Sequence, residues 1–309
     1  MAAPWLPAPD TRSFLQRCAH WHEVLDPSRL LASRAEILKS KTLLAAPGAA
    51  STASENNEQL LEARRLCEAS VHPDSGQVLP LIFRPSVYVL LGAPLAMAAL
   101  IPHVRVASSF ICQLPFQTYN VGFSLVNRNL SMQKADHPLY LSASVLYLTS
   151  MGAAPALAMK RLGISSQSAR SVLRILSPPL YALLGGLSVA LVRFSEVDRG
   201  VQIMDQEGNV LGVSHKAAEK AMKETVLSRS ALFGVTALVP SLMRHSPHML
   251  RNPRMLTLLR NLAAVVTFGM MVPVSFSLFP HKGSISREDL EEELKEKTSE
   301  PIVFYNRGL

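Results

Sequence analysis

The chain has 309 residues, 48% of them hydrophobic and only 17% charged, with a formal net charge of +8 and a mean hydropathy of +0.19. A soluble domain is about one-quarter charged, so this composition points toward a membrane. Cys18, Cys67 and Cys112 stand far apart, which excludes a disulfide framework and a CxxC-type zinc site, while 15 glycines and 21 prolines are too few for a collagenous or low-complexity chain.

The first residues, MAAPWLPAPDTRSF, hold Asp10 and three prolines without an apolar core or an Arg-rich stretch. They read as neither a signal nor a transit peptide, and targeting is expected from internal segments. SFLQRCAHWHEVL predicts a short amphipathic helix stopped at Asp26-Pro27, and residues 47–57 read as a Gly/Ser/Ala-rich linker. Helical spacing resumes over 58–71 and ends at His72-Pro73-Asp74-Ser75-Gly76, a helix stop and turn in which Asp74 can cap whatever helix follows.

Beyond residue 85, six stretches lack Asp, Glu, Lys and Arg: 86–104, 106–127, 137–159, 175–192, 230–243 and 261–281. A soluble core helix keeps charge on its outer face; six charge-free runs in under two hundred residues read as membrane helices. The run 230–243 is short, and its flanking Arg229 and Arg244 are expected to snorkel to the headgroups. Segment 106–127 differs, because Gln113, Gln117, Thr118, Asn120 and Asn127 sit among its apolar residues and Pro115 removes a backbone donor. Lipid offers such side chains no partner, so this segment reads as a re-entrant or amphipathic piece lining a cavity. Pro94, Pro155, Pro240 and Pro273, inside the other runs, are candidates for broken helices.

The fold class that follows is an all-α polytopic membrane protein: about five transmembrane helices plus the polar segment, with a small hairpin in one loop. The hairpin is VQIMDQEGNVLGVS at 201–214, where alternating apolar residues flank a Gly-Asn turn. Three regions result: a soluble helical region at 1–85, a transmembrane domain at 86–281 and a charged tail at 282–309. In the tail, Ser286 with Asp289 three residues on predicts a capped surface helix carrying Glu291–Lys295 and Glu293–Lys297 pairs.

The excess positive charge sits in two short loops, 160–174 and 244–260, each with four basic residues and no acidic one. With five spans these loops share the N-terminal side, and the positive-inside rule places that side in the compartment equivalent to the cytoplasm, which for a mitochondrial inner membrane is the matrix, with the C-terminus opposite. A sixth span at 106–127 would instead put both termini across from the basic loops. This charge serves topology, so no nucleic-acid partner is expected; the partner is the lipid bilayer. His20 and His22, and His245 and His248, lack the spacing of a metal site, and no P-loop, GxGxxG, GxSxG or HExxH occurs. The expectation is a non-enzyme without metal or cofactor.

The ordered set Asp26-Pro27, His72-Pro73-Asp74-Ser75-Gly76, Gln117 to Asn120 with Asn127-Arg128, Asp205-Gln206-Glu207-Gly208-Asn209 with Leu211-Gly212, Phe279-Pro280 and the closing Phe304-Tyr305-Asn306-Arg307-Gly308-Leu309 resembles the sideroflexins, a family of mitochondrial inner-membrane proteins. The resemblance covers essentially the whole chain. It implies five spans with the N-terminus in the matrix and the C-terminus in the intermembrane space, and transport of small neutral amino acids, serine in the typical members. For a divergent branch it implies instead support of respiratory complex I assembly and iron–sulfur cluster maturation, with complex I assembly proteins as partners. The chain departs from the usual pattern at Ser75, Gln77, Cys112, Leu114 and Ser124. Under the transport reading Gln113, Gln117, Asn120, Asn127 and Arg128 form the polar lining, Arg128 attracting the substrate carboxylate, while His72, Pro73 and Asp74 are a family motif.

Overall fold

A computed structural model of the chain describes residues 12–45, 58–129, 138–243 and 253–309. The linker at 47–57, His245, His248 and the first eleven residues lie outside the described residues. Three short helices come first: α1 (Phe14–Val24), α2 (Arg34–Ala45) and α3 (Glu58–Ser70). Ser13 and Gln16 close a reciprocal capping box at the start of α1. Asp26 then accepts from the Ser28 N–H at 2.9 Å and turns the chain at Pro27, as the Asp-Pro stop predicts.

Six long helices follow, α4 (Pro85–Leu100), α5 (Val106–Val126), α6 (Pro138–Arg161), α7 (Ser166–Arg199), α8 (His215–Leu242) and α9 (Pro253–Ser277). Among the described residues four of them, α6 to α9, are long and apolar enough to cross a membrane, and α4 is a shorter apolar helix. The helix α5 is continuous over 21 residues with its polar side chains on a buried face, which fits the amphipathic alternative and not the re-entrant one. At 1.5 Å per residue it is as long as a span, and its polar side chains are buried against its neighbours. The helices also run through Pro94, Pro155, Pro240 and Pro273 without a break.

Each long helix packs antiparallel on the next. Tyr88 of α4 meets Asn120 of α5, Gln113 of α5 meets Gly152 of α6, Tyr140 of α6 meets Leu191 of α7, and Ser177 of α7 meets Ser241 of α8. Small residues bring α7 and α8 together: a Cβ on Gly185 would lie 2.8 Å from the Arg229 carbonyl oxygen, and one on Gly186 would lie 2.6 Å from Ser230 Oγ.

The turn after α7 opens a four-stranded antiparallel sheet of order β2-β1-β4-β3, with β1 (Val201–Met204), β2 (Val210–Ser214), β3 (Lys282–Ser286) and β4 (Ile302–Asn306). The β1–β2 hairpin is the one expected, turning at Gly208 with φ of 86°. The tail is not. Where a charged helix was expected, Ser286 ends a strand and only the four-residue α10 (Glu292–Lys295) forms. The reason is burial: Leu290, Leu294, Ile285, Val303 and Tyr305 pack with Val201, Ile203 and the first turns of α8 in one core. Lys295 pairs with Glu292 at 2.7 Å, leaving Glu291 for another task.

That task is the N-terminus of α8, where Glu291 accepts from the N–H groups of His215 and Lys216 at 2.8 and 3.0 Å and from Ser214 Oγ at 2.8 Å. Burial pushes its carboxyl pKa up, but the bonds from Lys216, Ser214 and His215 outweigh this and hold it below the ordinary 4.5. A carboxyl depressed by folding stabilises above its unfolded pKa and loses that contribution as pH falls through the folded one. The melting temperature of Glu291→Gln should therefore fall short of wild type by most at pH 7. The gap should close as the pH drops below 4.5; a gap constant with pH would contradict this assignment.

Both described ends of the chain meet at the sheet end of the bundle. Arg17 Nε donates to the Ser277 carbonyl at 3.0 Å, Asn306 Nδ2 to Asp74 Oδ1 at 2.7 Å, and the Leu309 N–H to the Asn127 carbonyl at 3.1 Å. A bundle of six antiparallel helices returns the chain to the side it started from. Both described ends thus lie at one end of the bundle, where five spans would separate them; the side of the membrane that each end takes depends on whether α5 counts as a span.

Candidate functional site

The α5 amides fall on one face of the helix, at 113, 117, 120 and 127, and that face looks into the bundle, where all four are buried. Gln117 Nε2 donates to Gln113 Oε1 at 3.3 Å, and Gln113 Nε2 reaches both Tyr181 Oη and, at 3.4 Å, the Ala99 carbonyl. One turn further, Tyr88 Oη donates to Asn120 Oδ1 at 2.8 Å while Asn120 Nδ2 donates to the Phe116 carbonyl at 2.9 Å. Asn127 Nδ2 serves the carbonyls of Phe83 and Phe123, both at 2.9 Å.

Gly152 lets α6 approach the first of these amides, since a Cβ there would sit 2.8 Å from Gln113 Oε1. Beside it a cavity of about 30 Å³ opens toward the α4–α5 turn, lined by Ala99, Gln113, Gly152, Pro155, Ser177 and Tyr181. That is room for one water and not for an amino acid.

Arg128 does not join the stripe. It follows the helix, and its Nη1 reaches the Val192 carbonyl of α7 at 3.4 Å. Its own carbonyl meets His72 Nε2 at 2.9 Å, while His72 Nδ1 accepts from the Asp74 and Ser75 N–H groups at 3.2 and 3.4 Å. Those two acceptances put the ring proton on Nε2, which donates. The His72-Pro73-Asp74 turn thus ties the N-terminal helices to the end of α5 through His72 and to β4 through Asp74. Asp74 caps no helix; its carboxylate is engaged by Asn306.

Three buried arginines escaped the sequence reading. Arg193 is 0% exposed and holds Glu196 at 2.8 and 3.0 Å, Thr225 Oγ1 at 2.9 Å and the Arg307 carbonyl at 2.6 Å. Arg307 donates through Nη2 to the Phe276 carbonyl at 3.2 Å. Burial lowers its pKa to about 10, with Glu224 acting against that and Arg193 and Arg229 adding to it. Arg229, expected to snorkel at a membrane interface, is instead only 2% exposed and sits among Tyr88, Phe123 and Phe276. Helical spacing could have found it, because Thr225, Arg229, Leu232 and Thr236 share the buried face of α8. Among the described residues no group of three or more His, Cys, Asp or Glu could hold a metal ion.

A bundle of long apolar helices with an inward polar stripe defines a helical polytopic membrane protein. A family model described as Sideroflexins matches residues 5–309, and the chain belongs to the sideroflexin family. It is 37% identical to Sideroflexin-4 of Danio rerio over 96% of both chains, and 36% identical to Sideroflexin-4 of Bos taurus over 97% of both. Sideroflexin-5 of Homo sapiens is 28% identical over 96% of this chain and 90% of its own. No solved structure matches the chain significantly.

Proposed function

We propose that this sideroflexin is a mitochondrial inner-membrane carrier of small neutral amino acids, working by alternating access without covalent chemistry. The observation that carries this reading is the row Gln113, Gln117 and Asn120, buried along one helix face and paired chiefly with one another and with two tyrosine hydroxyls. Uncharged amides suit a zwitterion, since each offers both a donor and an acceptor. Purified protein in proteoliposomes should take up members of a radiolabelled panel of small neutral amino acids, serine included, with saturation. Asn120→Ala should cut that uptake about tenfold, the equivalent of ~1.4 kcal/mol. A folded protein that takes up no panel member refutes this reading.

The same proposal includes an orientation. Arg105, the basic residues of 160–174, and Arg254 and Arg260 at the start of α9 lie at the end of the bundle away from the sheet, and neither basic loop has an acidic residue in its sequence. The positive-inside rule puts that end in the matrix, and the sheet with both described chain ends in the intermembrane space. In a cysteine-free background, a membrane-impermeant thiol reagent given to mitochondria with a ruptured outer membrane should label Glu207→Cys and spare Ser166→Cys. The reverse pattern inverts the assignment.

A second reading, a membrane factor for complex I assembly and iron–sulfur cluster maturation, is favoured by one observation. The bundle encloses little space at its stripe, while α1 to α3 and the sheet build a large surface outside it, including an open groove of about 700 Å³ between α2 and α3.

A further inference from the structure

Arg229 is the anomaly of the bundle core. Its guanidinium carbon lies 5.1, 5.2 and 4.8 Å from the ring centroids of Tyr88, Phe123 and Phe276, yet neither Nη1 nor Nη2 has a hydrogen-bond partner. Aromatic faces offset part of the charge, but they accept no N–H in the plane of the guanidinium. Glu196 and Glu224 each keep one buried oxygen without a hydrogen-bond partner, but the titratable groups that act on Arg229 are Tyr88 and Arg193, not these carboxylates. Glu196 is held by Arg193, and Glu224 lies in the field of Arg307 and Lys220. A buried cation without an anion is costly. A ligand carboxylate would supply the missing charge.

The surroundings name that ligand. Tyr88, whose ring Arg229 covers, is the residue that bonds Asn120, so the free guanidinium and the α5 stripe share one neighbour. A second guanidinium meets the same residue through its backbone: Arg307 bonds the Phe276 carbonyl, and its Nε and Nη1 are buried without a hydrogen-bond partner, although Glu224 offsets its charge. Arg128, by contrast, is engaged with α7. The unspent donors of Arg229 therefore point to a carboxylate, for which the flat guanidinium fork is the best-matched partner.

We infer that Arg229 anchors the carboxylate of the transported amino acid, with Asn120 one residue away through Tyr88 to receive its ammonium group. This rests on the transport reading for the identity of the ligand, and on the unpartnered guanidinium for its charge. Phe123 and Phe276 fill the space a carboxylate would take, so binding turns one of them aside and exchanges a cation–π contact for a stronger charge-assisted pair.

The test is ligand-dependent thermal stabilisation of the purified full-length chain. The probes are glycine, alanine and serine, the amides of the same three, and acetate and propionate. Wild type should be stabilised by the acids, saturably, and not by the amides. Arg229→Gln should weaken binding of the acids at least tenfold while melting, unliganded, at or above the wild-type temperature. Arg229→Lys, which keeps the charge and loses the fork, should bind with intermediate affinity. Amides that bind as well as acids, an Arg229→Gln protein that binds like wild type, or a wild type that binds no carboxylate at all would each overturn the assignment. Should Arg229→Gln fail to fold, the acid–amide comparison on wild type and the Arg229→Lys affinity decide. Acetate and propionate binding that requires Arg229, with no amino acid bound, would keep the anion site and refute amino-acid transport.

Discussion

Replacing Arg193 by methionine should cost about 3–5 kcal/mol, the usual penalty for leaving one member of a buried ion pair alone. Glu196 would keep a carboxylate only 7% exposed, and Thr225 and the Arg307 carbonyl would each lose a donor. For a chain of this size the melting temperature should drop on the order of 10 °C. The double variant Arg193→Met, Glu196→Met should recover much of this, because no charge is then stranded. A calorimetric scan of the three proteins decides; equal melting of the single and double variants would show that Glu196 is not what makes the single change costly.

Removing residues 302–309 should leave no folded protein. β4 lies between β1 and β3, so its loss splits the sheet in two. It also removes the fully buried Val303, Tyr305 and Arg307. Each large apolar side chain contributes roughly 1.5–3 kcal/mol when buried, so several together approach the whole margin of about 5–15 kcal/mol. Size-exclusion chromatography in detergent should show aggregate where wild type is monodisperse, and a monodisperse truncation with an unchanged melt would contradict the sheet. Trimming this segment therefore cannot separate the carrier from the assembly reading. Exposed Glu293 and Glu296 are the positions at which to disturb a partner surface without disturbing the fold.

The contrast between what was legible in the sequence and what was not follows the range of the interactions. Helices α4 and α6 to α9 announce themselves because a span needs a long run without charge, a local property. The α5 stripe is equally local, as four amides recur on one helical face. The β1–β2 hairpin is signalled by the Gly-Asn pair and by alternation, both within the five residues 205–209 and the strands beside them. β3 and β4 escape because KGSIS and IVFYN are five-residue runs whose meaning comes from partners elsewhere: β4 pairs with β1, about a hundred residues earlier. The acidic stretch between them looks helical by composition, and burial of Leu290 and Leu294 overrides it. Arg229 was misplaced for a related reason. Counting charge-free residues treats every arginine as a boundary, and so cannot register one that lies inside the membrane-spanning part of a helix. The role of His72 and Asp74 is invisible to spacing, since their partners are Arg128 and Asn306.

The strand order carries a consequence for how the molecule is assembled. Between β2 and β3 the chain must run down α8 and back up α9, so the sheet cannot close until that pair of helices has been inserted. Before then the β1–β2 hairpin exposes the edge of β1 that β4 later covers at Ile203 and Met204. Open edges invite pairing with foreign strands, and contacts this distant in sequence form slowly. The interval between release of the hairpin and arrival of β4 is thus the period in which a newly made chain is most exposed to aggregation, and a holding factor at that surface would act then.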